Sequence, residues 1–272
     1  MLDNLKETAS QMQADERTLP EIIDEAGALF AKFVVPLYES DSRLRPSLHG
    51  TGFFVRTGER HFFVSAGHVL ETLKTRPLFY YVSPGITRKL SGQLLLNPWQ
   101  GDRENDPIDV GVLRLSDGEL PPYPEVNKFA IDISYLRPGL LPRSGRNYMI
   151  VGFPASQSEV NPMAREVAAT AYGYRNYSIE DSAYFEQGLT PEANLVLPLD
   201  LEVGFDSSGK HRNFPRPQGM SGSPVWALYD EDGRDDLQMF PVVAVGTKYR
   251  KKERLLVGTD IAVVLNMIHD AV

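Results

Sequence analysis

The chain has 272 residues, enough for one large domain or two small ones with a core that needs no covalent staples. It carries 28 Lys and Arg against 36 Asp and Glu, a formal charge of −8, so it lacks the overall basic charge of a nucleic-acid-binding protein. It has 0 cysteines, which excludes disulfides, a thiolate nucleophile and Cys-ligated metal centres.

The apolar stretches are too short to cross a bilayer. One of the longest, over residues 28–37, is interrupted by Lys32 and Pro36 and falls well short of about 20 continuous apolar residues. The first residues also lack the basic start and apolar run of a secretory signal. We therefore expect no membrane association and a cytoplasmic location.

The first 33 residues predict a helical extension. Residues 1–19 are polar, with apolar side chains at roughly helical spacing, and predict a short helix. Residues 20–33 predict a firmer one, because Pro20 suits a first helical turn. Four apolar residues would share one face of it: Ile22, Ala26, Leu29 and Phe33.

Short β-branched and aromatic runs, separated by turn residues, follow this extension. In the first half they cover residues 34–38, 52–55, 61–65, 78–82 and 110–115. In the second half they cover residues 148–151, 168–174, 195–203, 223–228 and 239–245. Many short strands with frequent Gly and Pro turns predict an all-β sandwich or barrel rather than a parallel α/β sheet.

Two further features divide the chain. Residues 116–146 are rich in Pro and Gly and predict a connection between two halves, which we bound at 34–130 and 131–258. Residues 259–272 predict a C-terminal helix, with Thr259 or Asp260 as its N-cap. Its apolar face would consist of Ile261, Val264, Leu265 and Ile268.

A glycine-flanked serine lies just before a predicted strand, in the segment Gly-Met-Ser-Gly-Ser-Pro at residues 219–224. A hydroxyl nucleophile needs a tight turn, a base and donors for an oxyanion, and the glycines permit a turn that bulkier residues would strain. Such a turn can direct the amides of Gly219 and Ser221 at one point. Turns of this composition are common, so the segment alone does not separate function from structure.

Two other segments could supply the base and its carboxylate. His68 follows an apolar strand that ends in small residues, and Asp109 precedes an apolar strand. Taken singly, a buried structural histidine and a turn-capping aspartate explain them better than a catalytic role. Together with Ser221, in the order His, Asp, Ser, they predict a catalytic triad.

These segments resemble the motifs of the chymotrypsin-like serine proteases, the trypsin superfamily. SAGHV at 65–69 is similar to the family's TAAHC or TNxHV, DVGVLRL at 109–115 to DIALL or DLAVL, and GMSGSP at 219–224 to GDSGGP or GNSGGP. GTGFFV at 50–55 is similar to the strand that precedes the family's histidine. The likeness covers roughly 27–270, and is strongest to the bacterial disulfide-free branch that includes the high-temperature-requirement proteases, without that branch's PDZ-like domain.

The resemblance implies two antiparallel Greek-key β-barrels and a serine endopeptidase that works through an acyl-enzyme. It makes Ser221 the nucleophile, His68 the general base and Asp109 the residue that orients His68. The amides of Gly219 and Ser221 would form the oxyanion hole. It implies a protein or peptide substrate and no metal or organic cofactor.

The resemblance also indicates a specificity pocket without an acidic residue. Its predicted substrate-binding residues are Phe214, Pro215, Val245, Gly246 and Thr247. Because a buried cation without a counter-charge is costly, cleavage after Lys or Arg is disfavoured. We expect a pocket for an apolar side chain; if Arg216 or Lys248 points inward, an acidic one fits instead.

Two departures from the family pattern bear on control. Met220 stands where the family's zymogens have an Asp that pairs with a new N-terminus, so activation by that ion pair is not expected. The role of the polar stretch at 154–218 stays open. We hypothesise narrow specificity or control by a partner protein through residues 1–33.

Three other interpretations compete with a protease. An α/β-hydrolase would need the order Ser, Asp, His and a glycine at the position of Ser223. A metal site is disfavoured because no two of the 5 histidines have a compact ligand spacing. A non-catalytic binding module on the protease fold stays open, although such proteins usually lose a triad residue and none is lost here.

Overall fold

The structure, a computed structural model, describes residues 26–40, 45–83, 86–116, 129–161, 166–206, 208, 210–228 and 240–271. The helix predicted over 1–19 lies outside the described residues. Of the helix predicted over 20–33, residues 26–30 are helical and Ala31–Phe33 form a 3-10 turn.

The first half forms one sheet of eight strands. They are β1 (Val35–Ser40), β2 (Pro46–Thr57), β3 (Arg60–Ala66), β4 (Phe79–Ser83), β5 (Ile86–Lys89), β6 (Gly92–Leu96), β7 (Val110–Leu115) and β8 (Ile131–Asp132). Their order is β5-β4-β1-β2-β3-β7-β6, and β8 lies beside β2 as its one parallel partner. Since β8 follows residue 130, this sheet extends past the boundary that the sequence predicts.

The second half forms another sheet of eight strands and a separate hairpin. The strands are β9 (Asn147–Gly152), β10 (Ser158–Asn161), β11 (Glu166–Ala169), β12 (Tyr172–Tyr177), β13 (Asn194–Pro198), β14 (Gly204–Asp206), β15 (His211–Arg212), β16 (Pro224–Ala227), β17 (Val242–Arg250) and β18 (Leu255–Asp260). The antiparallel sheet has the order β13-β18-β17-β16-β9-β12-β14-β15, and β10 pairs with β11. The polar stretch at 154–218 therefore supplies strands of this sheet.

Both sheets are curled antiparallel half-barrels, and this confirms the predicted mainly-β fold. Within the described residues, neither strand order closes into a full circle. The antiparallel pairing rules out the α/β-hydrolase interpretation, whose sheet is parallel with helices between its strands. The strand predicted over 168–174 is divided between β11 and β12, because the Thr170 amide turns to the Gln157 carbonyl at 3.2 Å.

Besides the helical residues 26–30, the described residues contain three α-helices that connect or flank these strands: α1 (Gly67–Glu71), α2 (Asp181–Glu186) and α3 (Ile261–Asp270). The Asp260 carboxylate accepts from the amide of Ala262, so Asp260 is the N-cap of α3. Because β18 runs to Asp260, α3 begins two residues after the predicted boundary at 259. No helix in the described part of the chain is long and apolar enough to cross a membrane.

One hydrophobic cluster draws side chains from both sheets and from α3. The first sheet contributes Phe53, Phe62 and Val112 among others, and the second contributes Met149, Trp226 and Val245. The buried face of α3 adds Ile261, Val264 and Ile268. Because interiors pack at high density, this shared core sets the position of one sheet relative to the other.

The described end of the N-terminal extension belongs to the same cluster. The Phe30 ring stacks on Trp226 with centroids 4.3 Å apart, and its edge meets Phe240 at 5.6 Å. Ala26 and Phe30 are 2% and 3% exposed. Buried side chains cannot meet a partner protein, so among the described residues of the extension only the partly or fully exposed ones, such as Lys32, could do so; residues before Ala26 lie outside the described range.

Phe30→Ala should lower the free energy of unfolding by about 3–5 kcal/mol, because it removes a ring from a packed core. Lys32→Ala, on an exposed neighbour, should change it by no more than about 0.5 kcal/mol. Urea titration followed by tryptophan fluorescence measures both values. Equal, small effects would mean that residues 26–33 do not contribute to the core.

Candidate active site

Strand pairing brings His68 and Asp109 together at adjoining ends of β3 and β7. Ala66, the last residue of β3, lies opposite Val110, the first residue of β7. His68 comes two residues after β3, in the first turn of α1, and Asp109 comes directly before β7. In an antiparallel pair the end of one strand adjoins the start of the other, so the two residues become neighbours.

The Asp109 carboxylate binds His68 through both of its oxygens. Oδ2 lies 2.5 Å from Nδ1 of the ring, and Oδ1 accepts from the His68 amide at 2.8 Å. Asp109 is 1% exposed, whereas the His68 side chain is 40% exposed. With Nδ1 held by the buried carboxylate, the opposite edge of the ring, which carries Nε2, is presented to the cleft.

A buried ion pair braces the loop that carries Asp109. Arg103 lies 2.6 Å from the carboxylate of Asp106, and the other Asp106 oxygen accepts from the amide of Ile108 at 2.8 Å. Arg103 also donates to the side chain of Asn97 at 2.8 Å. The sequence analysis did not single out Arg103 or Asp106; their close spacing just before Asp109 was the available signal.

Ser221 lies in a tight turn, residues 217–223, which we call the nucleophile turn. Four successive carbonyls of this turn, those of residues 218–221, accept hydrogen bonds. Gly219 and Gly222 have φ of +92° and +95°, which L side chains rarely adopt. A Cβ at Gly222 would also overlap the carbonyl oxygen of Thr51 and the Ser65 hydroxyl.

The amides of Gly219 and Ser221 donate to no acceptor among the described residues. The carbonyl of Gln218 accepts from Ala155 at 2.7 Å, and that of Met220 accepts from Ser223 at 3.0 Å. Because C=O and N–H point to opposite sides of a trans peptide, the amides of Gly219 and Ser221 face away from these partners. The turn thus offers two backbone donors, as an oxyanion site requires.

The hydroxyl of Ser221 points at a carbonyl. Its Oγ donates to the Thr247 oxygen at 3.3 Å, and it makes no hydrogen bond with His68 among the described residues. His68, Asp109 and Ser221 nevertheless line one cleft of about 560 Å³. The structure therefore brings the three predicted catalytic side chains together, with the hydroxyl turned away from the histidine.

The residues predicted to bind substrate divide into two groups. Gly246 and Thr247 line the cleft. Phe214 and Val245 are 3% and 0% exposed and lie in the hydrophobic interior, and Pro215 is not among the lining residues. Neither Phe214 nor Val245 lines the cleft, because the Phe214 ring packs against Tyr174 with centroids 5.2 Å apart and the Val245 side chain faces the core.

The apolar wall of the cleft comes instead from residues that were not predicted to bind substrate. They are Ile150, Met220, Leu256 and Val257. Of the two cations considered for the pocket, Lys248 lines the cleft and Arg216 does not. The Lys248 ammonium lies 3.5 Å from the carbonyl oxygen of Asp106.

A second histidine, His49, lies near His68. Its Nε2 is 2.9 Å from the hydroxyl of Thr72, and its Nδ1 is 3.7 Å from Glu39. Burial lowers the pKa of His49, and the charge of His68 lowers it further, against the opposing effect of Glu39. His49 is therefore mainly neutral at pH 7 and adds little charge beside the catalytic pair.

The described residues contain no group of three or more His, Asp and Glu side chains arranged to hold a metal ion. The site brings together a carboxylate-held imidazole and a hydroxyl, beside a turn with two N–H groups that donate to no acceptor among the described residues.

Comparison with solved structures identifies the fold. A Glu endopeptidase in complex with MPD superposes with a TM-score of 0.50 at 12% identity, over 89% of this chain and 90% of that chain. The VesB protease of Vibrio cholerae gives a TM-score of 0.52 at 11% identity, over 89% of this chain and 64% of that chain. No protein-family model and no curated protein matches the sequence. The chain shares the chymotrypsin-like protease fold.

Gly222→Ala should destabilise the protein and abolish any activity of Ser221, because the new Cβ overlaps Thr51 and Ser65. Gly58→Ala is a matched control, since Gly58 has φ of +57° with nothing within 4 Å of the added atom. The control should lose only about 1–2 kcal/mol from backbone strain. Thermal unfolding of both variants decides; a Gly222→Ala protein as stable as Gly58→Ala would contradict the contact.

Proposed function

We propose that this protein is a serine endopeptidase with Ser221 as nucleophile, His68 as general base and Asp109 as the residue that orients His68. The observation that supports it is the combination of the buried Asp109–His68 pair and the Ser221 hydroxyl in one cleft with two amides, in the turn that carries Ser221, that donate to no acceptor among the described residues. Each part alone has a structural explanation. Acyl transfer is the chemistry that uses all of them.

The reaction begins with rotation of the Ser221 hydroxyl from the Thr247 carbonyl toward Nε2 of His68. Oγ then bonds to the carbonyl carbon of the scissile peptide while His68 takes its proton. The amides of Gly219 and Ser221 bind the resulting oxyanion. Collapse breaks the C–N bond, the amine leaves with the proton from His68, and an acyl-enzyme remains.

Deacylation repeats these steps with water. The water oxygen attacks the acyl carbon while His68 takes a proton from the water. His68 then gives this proton to Oγ of Ser221 as the ester bond breaks. Throughout, Asp109 keeps Nδ1 protonated and stabilises the imidazolium that forms twice in each cycle.

One observation favours a second candidate function, a non-catalytic peptide-binding module on the protease fold. The Ser221 hydroxyl bonds the Thr247 carbonyl rather than His68. In a module this arrangement would be permanent; in an enzyme it changes when substrate enters, and catalytic hydrogen bonds are often incomplete without substrate. Reaction with a fluorophosphonate separates the two, because the probe needs an activated serine.

A fluorophosphonate should label wild-type protein at Ser221, as located by peptide mass spectrometry. Ser221→Ala and His68→Ala should lose labelling and lower peptide hydrolysis by at least about 1,000-fold, and Asp109→Asn should cost about 10,000-fold. His269→Ala, on an exposed histidine of α3, is the control and should react as wild type. A wild-type protein that stays unlabelled would refute the enzyme and leave the module.

We further propose that the pocket beside Ser221 takes an apolar side chain. Its wall of Ile150, Met220, Leu256 and Val257 offers hydrocarbon surface, and none of these four residues carries a charge that could pair with a substrate Lys or Arg. Asp102 and Asp109 also line the cleft, but Asp109 is occupied by His68. Lys248 is the residue through which an acidic side chain could be recognised instead.

Cleavage of a peptide library should occur after apolar residues, and Lys248→Gln should leave that preference unchanged because long basic side chains extend toward water. Mass spectrometry of the products gives the preference, with Ser221→Ala as the blank. Cleavage after Glu or Asp that disappears in Lys248→Gln would instead assign the pocket to acidic side chains. Efficient cleavage after Lys or Arg would contradict the apolar assignment while leaving the triad intact.

A further inference from the structure

One buried threonine connects the nucleophile turn to the sheet that carries His68 and Asp109. Thr51 lies in β2 and is 0% exposed. Its hydroxyl donates to the Gly219 carbonyl at 2.7 Å, and its amide donates to the Ser221 carbonyl at 2.9 Å. Among the described residues, every hydrogen bond from the first sheet to the nucleophile turn comes from Thr51.

The hydroxyl of Thr51 both donates and accepts a hydrogen bond. While it donates to Gly219, it accepts from the amide of Phe153 at 3.2 Å, just past the end of β9. The Thr51 carbonyl accepts from the hydroxyl of Ser65 at 2.6 Å. Thr51 is thus held from both sides, so it can fix the atoms it binds.

The bond from Thr51 fixes the carbonyl of Gly219, in the peptide unit that follows the Gly219 amide. The carbonyls of Gln218 and Gly219 are held by Ala155 and Thr51, respectively, and the amide of Met220 donates to Pro217 at 3.0 Å. With both flanking carbonyls fixed, the Gly219 amide cannot rotate away from the cleft without breaking one of these bonds. Met220 is apolar and 3% exposed, so no ion pair from its side chain helps to fix the direction of the Gly219 amide.

We propose that Thr51 is a positioning residue that holds the nucleophile turn with its Gly219 amide directed into the cleft and at a fixed distance from His68. The inference rests on the proposed function for its catalytic consequence, while the holding of the turn is a property of the fold. It assigns to the threonine of the GTGFFV segment a task in transition-state binding, with no contact to substrate.

Thr51→Val tests this, because valine keeps the shape and removes the hydroxyl. It leaves the Gly219 carbonyl and the Phe153 amide without their partner. We expect kcat to fall by about 10- to 100-fold, since loss of one oxyanion donor costs about 100- to 1,000-fold and a misplaced one costs less. KM and the pH midpoint of kcat should stay within error of wild type, because Thr51 touches neither substrate nor His68.

Two variants control for packing. Thr51→Ser keeps the hydroxyl without the methyl group and should restore kcat to within about threefold of wild type, even if it melts at a lower temperature. Thr259→Val makes the same change at another buried threonine, whose hydroxyl has no hydrogen-bond partner in the described residues, and should leave kcat unchanged. Hydrogen–deuterium exchange of residues 217–223 should speed up in Thr51→Val and not in Thr259→Val.

The outcomes separate the two proposals. If fluorophosphonate leaves the wild type unlabelled, the endopeptidase is refuted, and the exchange experiment still decides whether Thr51 holds the turn. If the wild type is active and folded Thr51→Val keeps its kcat, or if exchange of 217–223 does not change, the positioning role is refuted. Should Thr51→Val not fold, Thr51→Ser decides: a folded serine variant with kcat lowered more than tenfold would assign the effect to the methyl group and overturn the inference.

Discussion

The arrangement of the site depends on how the Ser221 turn is attached to the sheet that holds the other two catalytic residues. His68 and Asp109 belong to the first half of the chain and Ser221 to the second. At least 112 positions of sequence separate Ser221 from either of the other two residues. Thr51 spans this division with its amide and hydroxyl, and its position in β2 puts it beside β3, whose end leads to His68. The relative placement of His68 and Ser221 therefore rests on a few buried hydrogen bonds, each of which is stronger there than it would be in water.

The shared hydrophobic cluster makes this attachment effective. Because side chains of both sheets and α3 pack together, the sheets cannot slide without opening cavities, and a bond between them sets a distance. α3 adds a further link, since the Arg114 guanidinium of β7 donates to the Ala271 carbonyl at 2.8 Å. A site assembled from two sheets is then as rigid as one built on a single element, as transition-state binding requires.

The meeting of His68, Asp109 and Ser221 at one cleft could be predicted from the sequence because each of these residues stands at the end of an element whose pattern is strong. The strand over 110–115 matches β7, and Asp109 and His68 flank paired strand ends. The pocket could not be predicted in the same way. β17 has a bulge between Gly246 and Lys248, which breaks the alternation of side chains, so that consecutive residues from Gly246 to Tyr249 all line the cleft while Val245 stays inside. The contact of Thr51 could not be predicted for another reason: a hydroxyl that binds a carbonyl 168 positions away in the sequence leaves no local pattern.

The distinction between an enzyme and a binding module reduces to which part of the site is already formed. The nucleophile turn is held by hydrogen bonds, each worth about 0.5–1.5 kcal/mol, and by two glycines with positive φ that allow the turn and its close packing against Thr51 and Ser65. The Ser221 hydroxyl, by contrast, needs only a rotation about χ1 away from a 3.3 Å bond, and rotamer changes of partly exposed side chains take picoseconds to nanoseconds. The hydrogen-bonded turn is therefore already formed, and the step that remains, rotation of the Ser221 hydroxyl toward His68, is fast. That asymmetry is what the proposed enzyme would show in its substrate-free state; a module could use the same two donors to bind a peptide carbonyl, but it would not need the hydroxyl to reach His68.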